Sequence, residues 1–272
     1  MRIGIFFSGN FIRHYEIKEL QNLLKTKNNF IFFFDKKDEK KKSNFFSIIK
    51  NLIFKHKFFS LVILEEKISN ILKHKKCYSK KLKLLNKKIK LENIIKNFSS
   101  YKIYNFKSNS KKFTPNAKLA KFIKKNCDIL VFLGFNKIVD KKMINLVKNG
   151  ILSFHTADIN YYRGRPSAFY EFMNNEKFGG VTLQKIGAKI DSGKIVVLKK
   201  TNISKCNSYQ ETLFKMMSLK KNMLVEAIDK IKRGKKFYET KNKVEINIEN
   251  NSRKLSVVLR YLIKTIHMKY FD

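Results

Sequence analysis

The residues best suited to chemistry are concentrated between residues 134 and 193. His155 follows a predicted strand at 151–154, and Asp191 lies between predicted strands at 181–186 and 194–200. Open α/β sheets bind ligands in the loops at the carboxyl ends of their strands. An imidazole and a carboxylate brought together there could move a proton to or from a bound ligand. A histidine at a strand end can also be purely structural, so its surroundings must decide.

Glycine is scarce in this chain but dense in that window. Seven of the ten glycines lie there, at positions 134, 150, 164, 179, 180, 187 and 193, together with Pro166. Glycine suits backbone that needs a positive φ or that approaches a ligand closely. The clustering indicates tight loops around a site, with ordinary turns in the sheet as the alternative.

The elements around this window alternate between strand and helix. Apolar runs predict strands at 2–8, 29–34, 101–106 and 128–133, and helical spacing begins after the first of them. We expect further helices at 115–126 and at 208–234, the latter opened by a capping box formed by Ser208 and Glu211. This pattern predicts an α/β fold, a Rossmann-like and mostly parallel sheet flanked by helices. The turn after the first strand lacks GxGxxG, which argues against a dinucleotide site.

A lysine-rich segment interrupts this rhythm at 35–100. Its helical patterns predict a basic insertion in a domain spanning 1–234, either a solvated flap or a surface that faces phosphate or membrane. Residues 235–272 form a short C-terminal extension, with a strand-like piece at 243–248 and a helical pattern at 255–266.

Charge and cysteine usage limit the classes of partner. The formal net charge is +39, yet lysine greatly outnumbers arginine, as an AT-rich coding sequence would produce. A positive field attracts phosphates whatever its origin, so sugar nucleotides, tRNA, polyglutamylated folate and anionic membranes all fit. Three cysteines without CxxC spacing predict neither a metal site nor a disulfide framework. Without a signal-peptide layout or a long apolar run, we expect a cytoplasmic protein whose membrane contact is at most peripheral.

Several separated motifs, in order, resemble the 10-formyltetrahydrofolate-dependent formyltransferases. They are residues 128–155, 156–166 (TADINYYRGRP), 180–195 (GVTLQKIGAKIDSGKI) and the helical stretch 208–234. The resemblance implies an enzyme of the formyltransferase fold that uses 10-formyltetrahydrofolate as co-substrate and needs no metal. It also implies a catalytic group of Asn, His and Asp. His155 and Asp191 occupy the last two positions, and Ser153 stands where the family usually has Asn.

The resemblance further implies where the substrates bind. The pterin of the folate would lie between two loops, one formed by Gly134, Phe135, Asn136, Lys137, Ile138 and Val139, the other by Gly187, Ala188, Lys189 and Ile190. Arg163 and Arg165 flank Gly164 and would either bind a phosphate of the acceptor or form ordinary salt bridges.

Four functions remain open for such a chain. The favoured acceptor is an amino sugar on a nucleotide carrier. Methionyl-tRNA is the runner-up, since tRNA formyltransferases carry a basic loop where this chain has its insertion, although they also carry a C-terminal β-barrel that residues 235–272 do not resemble. Glycinamide ribonucleotide is third. A folate- or sugar-nucleotide-binding protein that has lost catalysis through Ser153 is the non-enzymatic alternative.

Overall fold

The computed structural model describes residues 1–35, 58–71, 84, 87–96, 98, 101–107, 112–135, 137–188, 193–240 and 254–270. Most of the insertion at 35–100 and the strand-like piece at 243–248 lie outside these residues. Among the described residues, the search for a helix long and apolar enough to cross a bilayer found none.

A seven-stranded sheet forms the centre of the molecule. Its strands are β1 (Arg2–Phe7), β3 (Asn29–Asp35), β5 (Tyr101–Phe106), β7 (Ile129–Phe132), β9 (Ile151–His155), β10 (Phe178–Lys185) and β11 (Lys194–Asn202). They are ordered β11-β10-β9-β7-β1-β3-β5. The five strands from β9 to β5 are parallel, and β10 and β11 are antiparallel additions. The predicted mostly parallel α/β sheet is confirmed.

Shorter strands and nine helices complete the described elements. β2 (Phe11–Arg13) pairs with β4 (Lys88–Lys90), and β6 (Lys112–Phe113) pairs with β8 (Ile138–Val139). The helices are α1 (His14–Leu24), α2 (Phe59–Ile71), α3 (Glu92–Ile95), α4 (Ala117–Asn126), α5 (Lys141–Ile144), α6 (Phe169–Met173), α7 (Tyr209–Ser218), α8 (Met223–Lys232) and α9 (Leu255–Tyr270).

Two apolar layers hold the sheet, one on each face. Alternate residues of a strand point to opposite faces, so Ile5 and Phe7 join one layer while Phe6 joins the other. The first layer packs under α1, α7 and α8, and the second packs under α4 and α5. A methyl group on Gly4 would lie 2.6 Å from Leu130 Cδ2, so the second layer requires glycine there.

The prediction of one long helix at 208–234 is wrong, because α7 ends at Ser218 and α8 begins at Met223. Asn222, between them, has a positive φ of 65°. The backbone N–H groups of Asn222 and Leu224 donate to the buried carboxylate of Glu19 on α1, the second at 3.0 Å. This carboxylate satisfies amide groups at the start of a new helix, which a continuous helix would have bonded internally. At the start of α7, Ser208 Oγ accepts the N–H of Glu211 as the capping pattern predicts.

The insertion is also less uniformly helical than its sequence indicates. Residues 88–90 form β4, because β2 offers them an antiparallel partner. Leu91, Ile94 and Ile95 follow and are buried in the first apolar layer. In the described part, the insertion is therefore attached to the main core.

The C-terminal helix α9 packs on the body of the domain. Tyr261 is fully buried against Phe169 and Phe172 of α6, and its hydroxyl donates to Glu65 of α2 at 2.9 Å. Lys264 donates to the carbonyl oxygen of Phe172, near the end of α6. α9 thus holds α6, the helix that follows directly on the loop after His155.

Candidate active site

His155 is held at the carboxyl end of β9 by a backbone contact. The ring is buried, and its Nε2 lies 2.8 Å from the carbonyl oxygen of Tyr162. A carbonyl oxygen only accepts hydrogen bonds, so Nε2 carries the proton.

Ser153 precedes His155 by two residues and therefore lies on the same face of β9. It is half-buried, in register with Phe132 of β7 on one side and Gln184 of β10 on the other. Its hydroxyl stands on the same strand, and on the same face, as the predicted catalytic imidazole. The catalytic role of both residues stays a prediction.

Gly193, two residues after Asp191, lies beside the β10 residue that is in register with Ser153. Gln184 Oε1 accepts the backbone N–H of Gly193 at 3.1 Å. Gly193 is thus bonded to Gln184, which is in register with Ser153. Asp191 itself, with Lys189 and Ile190, lies outside the described residues, so its distance from His155 stays a prediction. Gly187 is half-buried and Ala188 is exposed.

The first predicted cofactor loop uses two of its side chains in the fold. The Phe135 ring is buried against Phe6 and Phe132. Lys137 Nζ lies 3.3 Å from Oδ2 of the fully buried Asp35, at the end of β3. Ile138 and Val139 form β8, and Asn136 lies outside the described residues. These contacts attach the loop to the core on both sides of Asn136, and its role in cofactor binding stays a prediction.

Glu16 lies against this loop and Lys220 lies near Glu16, and sequence reasoning missed both. Gly134 has a φ of 70°, and a methyl group added to it would lie 3.3 Å from Glu16 Oε2. Burial raises the pKa of Glu16, while the Lys220 ammonium works in the opposite direction. Burial lowers the pKa of Lys220 to about 8, and its ammonium group lies over the rings of Tyr15 and Phe154 at 4.6 and 5.3 Å. The only sequence signal was two charged residues within apolar helical patterns.

The loop after His155 is tied to β10. Thr182 is in register with His155. Its hydroxyl donates to the carbonyl oxygen of Ala157 and accepts the N–H of Ile159. Asp158, which sequence reasoning also missed, accepts the backbone and side-chain N–H groups of Asn160. These bonds position Tyr162, which holds His155.

The two arginines of this loop differ in their surroundings. Arg163 Nε donates to the carbonyl oxygen of Ile159 at 3.3 Å, so this half-buried side chain helps to shape the loop. Gly164 turns the chain with a φ of 84°. Arg165 is exposed. Of the two guanidinium groups predicted to bind phosphate, Arg165 is the one directed to solvent, and its role stays a prediction.

A parallel sheet with a histidine at a central strand end and glycine turns beside it defines an α/β enzyme-like site at the carboxyl edge of the strands. The profile of one family, described as formyl transferase, matches residues 24–228. The chain belongs to this family.

Individual relatives and structures resemble the chain over different lengths. A methionyl-tRNA formyltransferase of Thermotoga neapolitana is 28% identical over 109 residues, which are 40% of this chain and 35% of that protein. The matched segment thus spans about a third of the length of this curated relative. Glycinamide ribonucleotide transformylase 1 from Symbiobacterium toebii has a TM-score of 0.54 and 14% identity, covering 86% of this chain and 88% of its own.

The third resemblance extends over nearly the whole chain. An N-formyltransferase from Helicobacter canadensis, solved in complex with folinic acid and dTDP-3-aminofucose, has a TM-score of 0.55. It is 14% identical and covers 99% of this chain and 82% of its own. The two solved structures show that the fold is shared.

Proposed function

We propose that this protein transfers a formyl group from 10-formyltetrahydrofolate to a primary amine. The observation that carries the proposal is His155, buried at the end of β9 with its Nε2–H committed to the Tyr162 carbonyl oxygen. The fixed ring directs its proton chemistry through Nδ1. Membership of the formyl transferase family supports formyl as the transferred group.

The reaction divides among three side chains. The uncharged amine attacks the formyl carbon, a new C–N bond forms, and the carbonyl oxygen becomes an anion. Doubly protonated His155 stabilises that oxygen by donating a hydrogen bond from Nδ1, and Ser153 adds its hydroxyl. The proton released by the amine passes to Asp191 directly or through a water, and N10 of the folate takes up a proton as its bond to the formyl carbon breaks and the carbonyl re-forms. Neither a nucleophilic side chain nor a covalent enzyme intermediate takes part.

The folate fits the two glycine-bounded loops at 134–139 and 187–190. In the first loop, Phe135 and Lys137 are engaged with the core and with Asp35. Recognition of the pterin edge therefore rests on backbone N–H and C=O groups, which the Lys137–Asp35 ion pair and the Glu16 carboxylate hold in place.

We propose an amino sugar on a nucleotide carrier as the acceptor. Such a substrate needs only a few cations for its diphosphate, and Arg165 is exposed on the loop directly after His155. The Helicobacter canadensis N-formyltransferase was solved with a nucleotide-linked amino sugar. Methionyl-tRNA is the second candidate, because it is the substrate named for the curated relative from Thermotoga neapolitana.

A transfer assay with 10-formyltetrahydrofolate and dTDP-linked 3-amino sugars tests the activity. Changing His155 to Ala should lower kcat/KM by about a hundredfold or more, because a positioned acid–base group contributes on that scale. His267→Ala, on the exposed side of α9, is the matched control and should leave kcat/KM unchanged. Calorimetry with 5-formyltetrahydrofolate should show binding, and no heat at millimolar ligand would refute the cofactor assignment.

A further inference from the structure

A cavity lies next to the candidate active site. It has a volume of about 210 Å³ and is enclosed by the loop after His155, by α6 and by the beginning of β10. Ser153 and His155 do not line it. Its walls include three acids (Asp158, Glu171 and Glu176) and three aromatic residues (Tyr161, Tyr162 and Phe178).

Glu171 is the unusual group in this cavity. Its side chain is 3% exposed, and its Oε1 has no hydrogen-bond partner. A buried carboxyl group without a partner costs free energy. Burial, together with the charges of Glu176 and Asp158, raises its pKa to about 8. The group therefore lacks a donor or cation at Oε1.

The other two acids of the cavity already have partners. Asp158 accepts from Asn160 and forms an ion pair with Lys200 at 2.7 Å. Glu176 accepts the Tyr162 hydroxyl at 2.5 Å. Three carboxyl groups thus stand against two lysines, Lys177 and Lys200. Glu171 is the acid whose buried Oε1 has no partner, so a hydrogen-bond donor that carries a positive charge suits the cavity at this position.

Aromatic rings suit an organic cation better than a metal ion. Tyr161, Tyr162 and Phe178 line the same space. Aromatic faces attract ammonium groups, and the ammonium groups of Lys200 and Lys177 already lie 5.6 Å from the ring centroids of Tyr161 and Phe178. Divalent metal ions require about six oxygen ligands, whereas most carboxylate oxygens here are engaged. We propose that this cavity binds a small organic ammonium ion, with the Glu171 carboxylate as its counter-ion and Tyr161 against its charge.

The site is connected to the candidate catalytic histidine through one residue. Tyr162 lines the cavity with its side chain, and its carbonyl oxygen accepts the His155 Nε2–H. An ammonium ligand therefore binds beside the residue that orients His155. The proposal does not depend on formyl transfer, since binding can be measured without any substrate.

An NMR titration of the intact protein with methylammonium chloride tests the site, with potassium chloride at equal concentration as the reference. Saturable binding is expected, with shifts confined to residues of the cavity. Glu171→Gln should weaken the affinity about tenfold to a hundredfold, the range for a lost charge-assisted hydrogen bond. Glu239→Gln, an exposed acid paired with Lys194 outside the cavity, should not change it.

If Glu171→Gln does not fold, Tyr161→Ala provides the second variant, because Tyr161 is exposed at the cavity wall. It should weaken methylammonium binding while the spectrum stays folded. Absence of saturable binding to the wild-type protein overturns the proposal. Displacement of methylammonium by micromolar magnesium or calcium chloride also overturns it, because the cavity would then be a metal site.

Discussion

Ser153 and His155 leave β9 on one face, so a single strand presents both the proposed hydroxyl donor and the proposed imidazole. Serine at position 153 is the residue most in need of a functional test, since the family usually has Asn there. Its side chain is shorter than that of Asn, and its hydroxyl rotates freely. The backbone of Ser153, in contrast, is fixed in register with Phe132 and Gln184 on the neighbouring strands.

Replacing Ser153 with Ala should lower kcat/KM by about tenfold to a hundredfold, somewhat less than the loss of a well-placed oxyanion donor. KM for the folate should change little, because the proposed contact forms in the transition state. Steady-state kinetics with the folate concentration varied at saturating acceptor measures both. Ser153→Asn is the companion variant: a gain of a hundredfold or more would mean that serine marks a decayed site.

Glu171 should make stability depend on pH. Its pKa is raised to about 8 in the fold, above the ordinary value of about 4.3 in an unfolded chain. Between these two pKa values, unfolding releases the proton that Glu171 holds in the folded protein. The contribution of this proton to the free energy of unfolding is therefore complete below about pH 4 and is lost as the pH rises through 8. Urea midpoints at several pH values should therefore fall more steeply from pH 5 to 8 in the wild-type protein than in Glu171→Gln. Parallel curves would contradict the shift.

At the scale of elements, the junction between α7 and α8 depends on α1. Glu19 Oε2 accepts the N–H of Leu224 at 3.0 Å, and Oε1 accepts that of Asn222. The same α1 carries Glu16, whose carboxylate lies against Gly134 of the first cofactor loop. One helix therefore sets both the start of α8 and the position of a proposed cofactor loop.

Glu19→Ala should reduce the free energy of unfolding by about 2–3 kcal/mol, since it leaves two amide groups near α8 without their charged acceptor. Urea denaturation measures the loss. Glu92→Ala, an exposed acid in the first turn of α3, is the control and should change the value by less than about 0.5 kcal/mol. Equal effects of the two substitutions would show that the Glu19 contacts contribute little.

At the scale of the whole molecule, charge separates the two candidate acceptors. A tRNA substrate would neutralise many phosphates, and each one contributes a log–log salt slope of about −0.7 to −0.9. A nucleotide-linked amino sugar offers a diphosphate, so we expect a slope of only about one or two units for kcat/KM. Measurement from dilute to physiological salt gives the slope directly.

Lysine substitutions test the same distinction in the chain itself. Changing the lysines of 36–42 to Gln should leave sugar formylation almost unchanged. The matched control changes five exposed lysines of α4 and α5 (Lys118, Lys121, Lys124, Lys125 and Lys142). A steep salt slope that only the 36–42 variant abolishes would favour tRNA as the acceptor.

The sequence by itself determined the sheet, the family and the residues of interest. Apolar runs marked the central strands β1, β3 and β7 most clearly, because a strand buried on both faces has few polar positions. The glycine cluster and the family resemblance that singles out Ser153, His155 and Asp191 predicted where the site lies, since tight loops restrict residue choice strongly. These signals are local, so they can be recognised without knowing which elements meet in space.

The tertiary structure alone decided the contacts between distant segments. The helix break at Asn222 depends on Glu19, about two hundred residues earlier in the chain. Residues 88–90 are a strand because β2 is available to pair with them. The Glu16 support of Gly134 and the cavity at Glu171 likewise join segments that carry no mutual sequence signal. Such contacts depend on desolvation and hydrogen bonding between elements, which become defined only when the chain is packed.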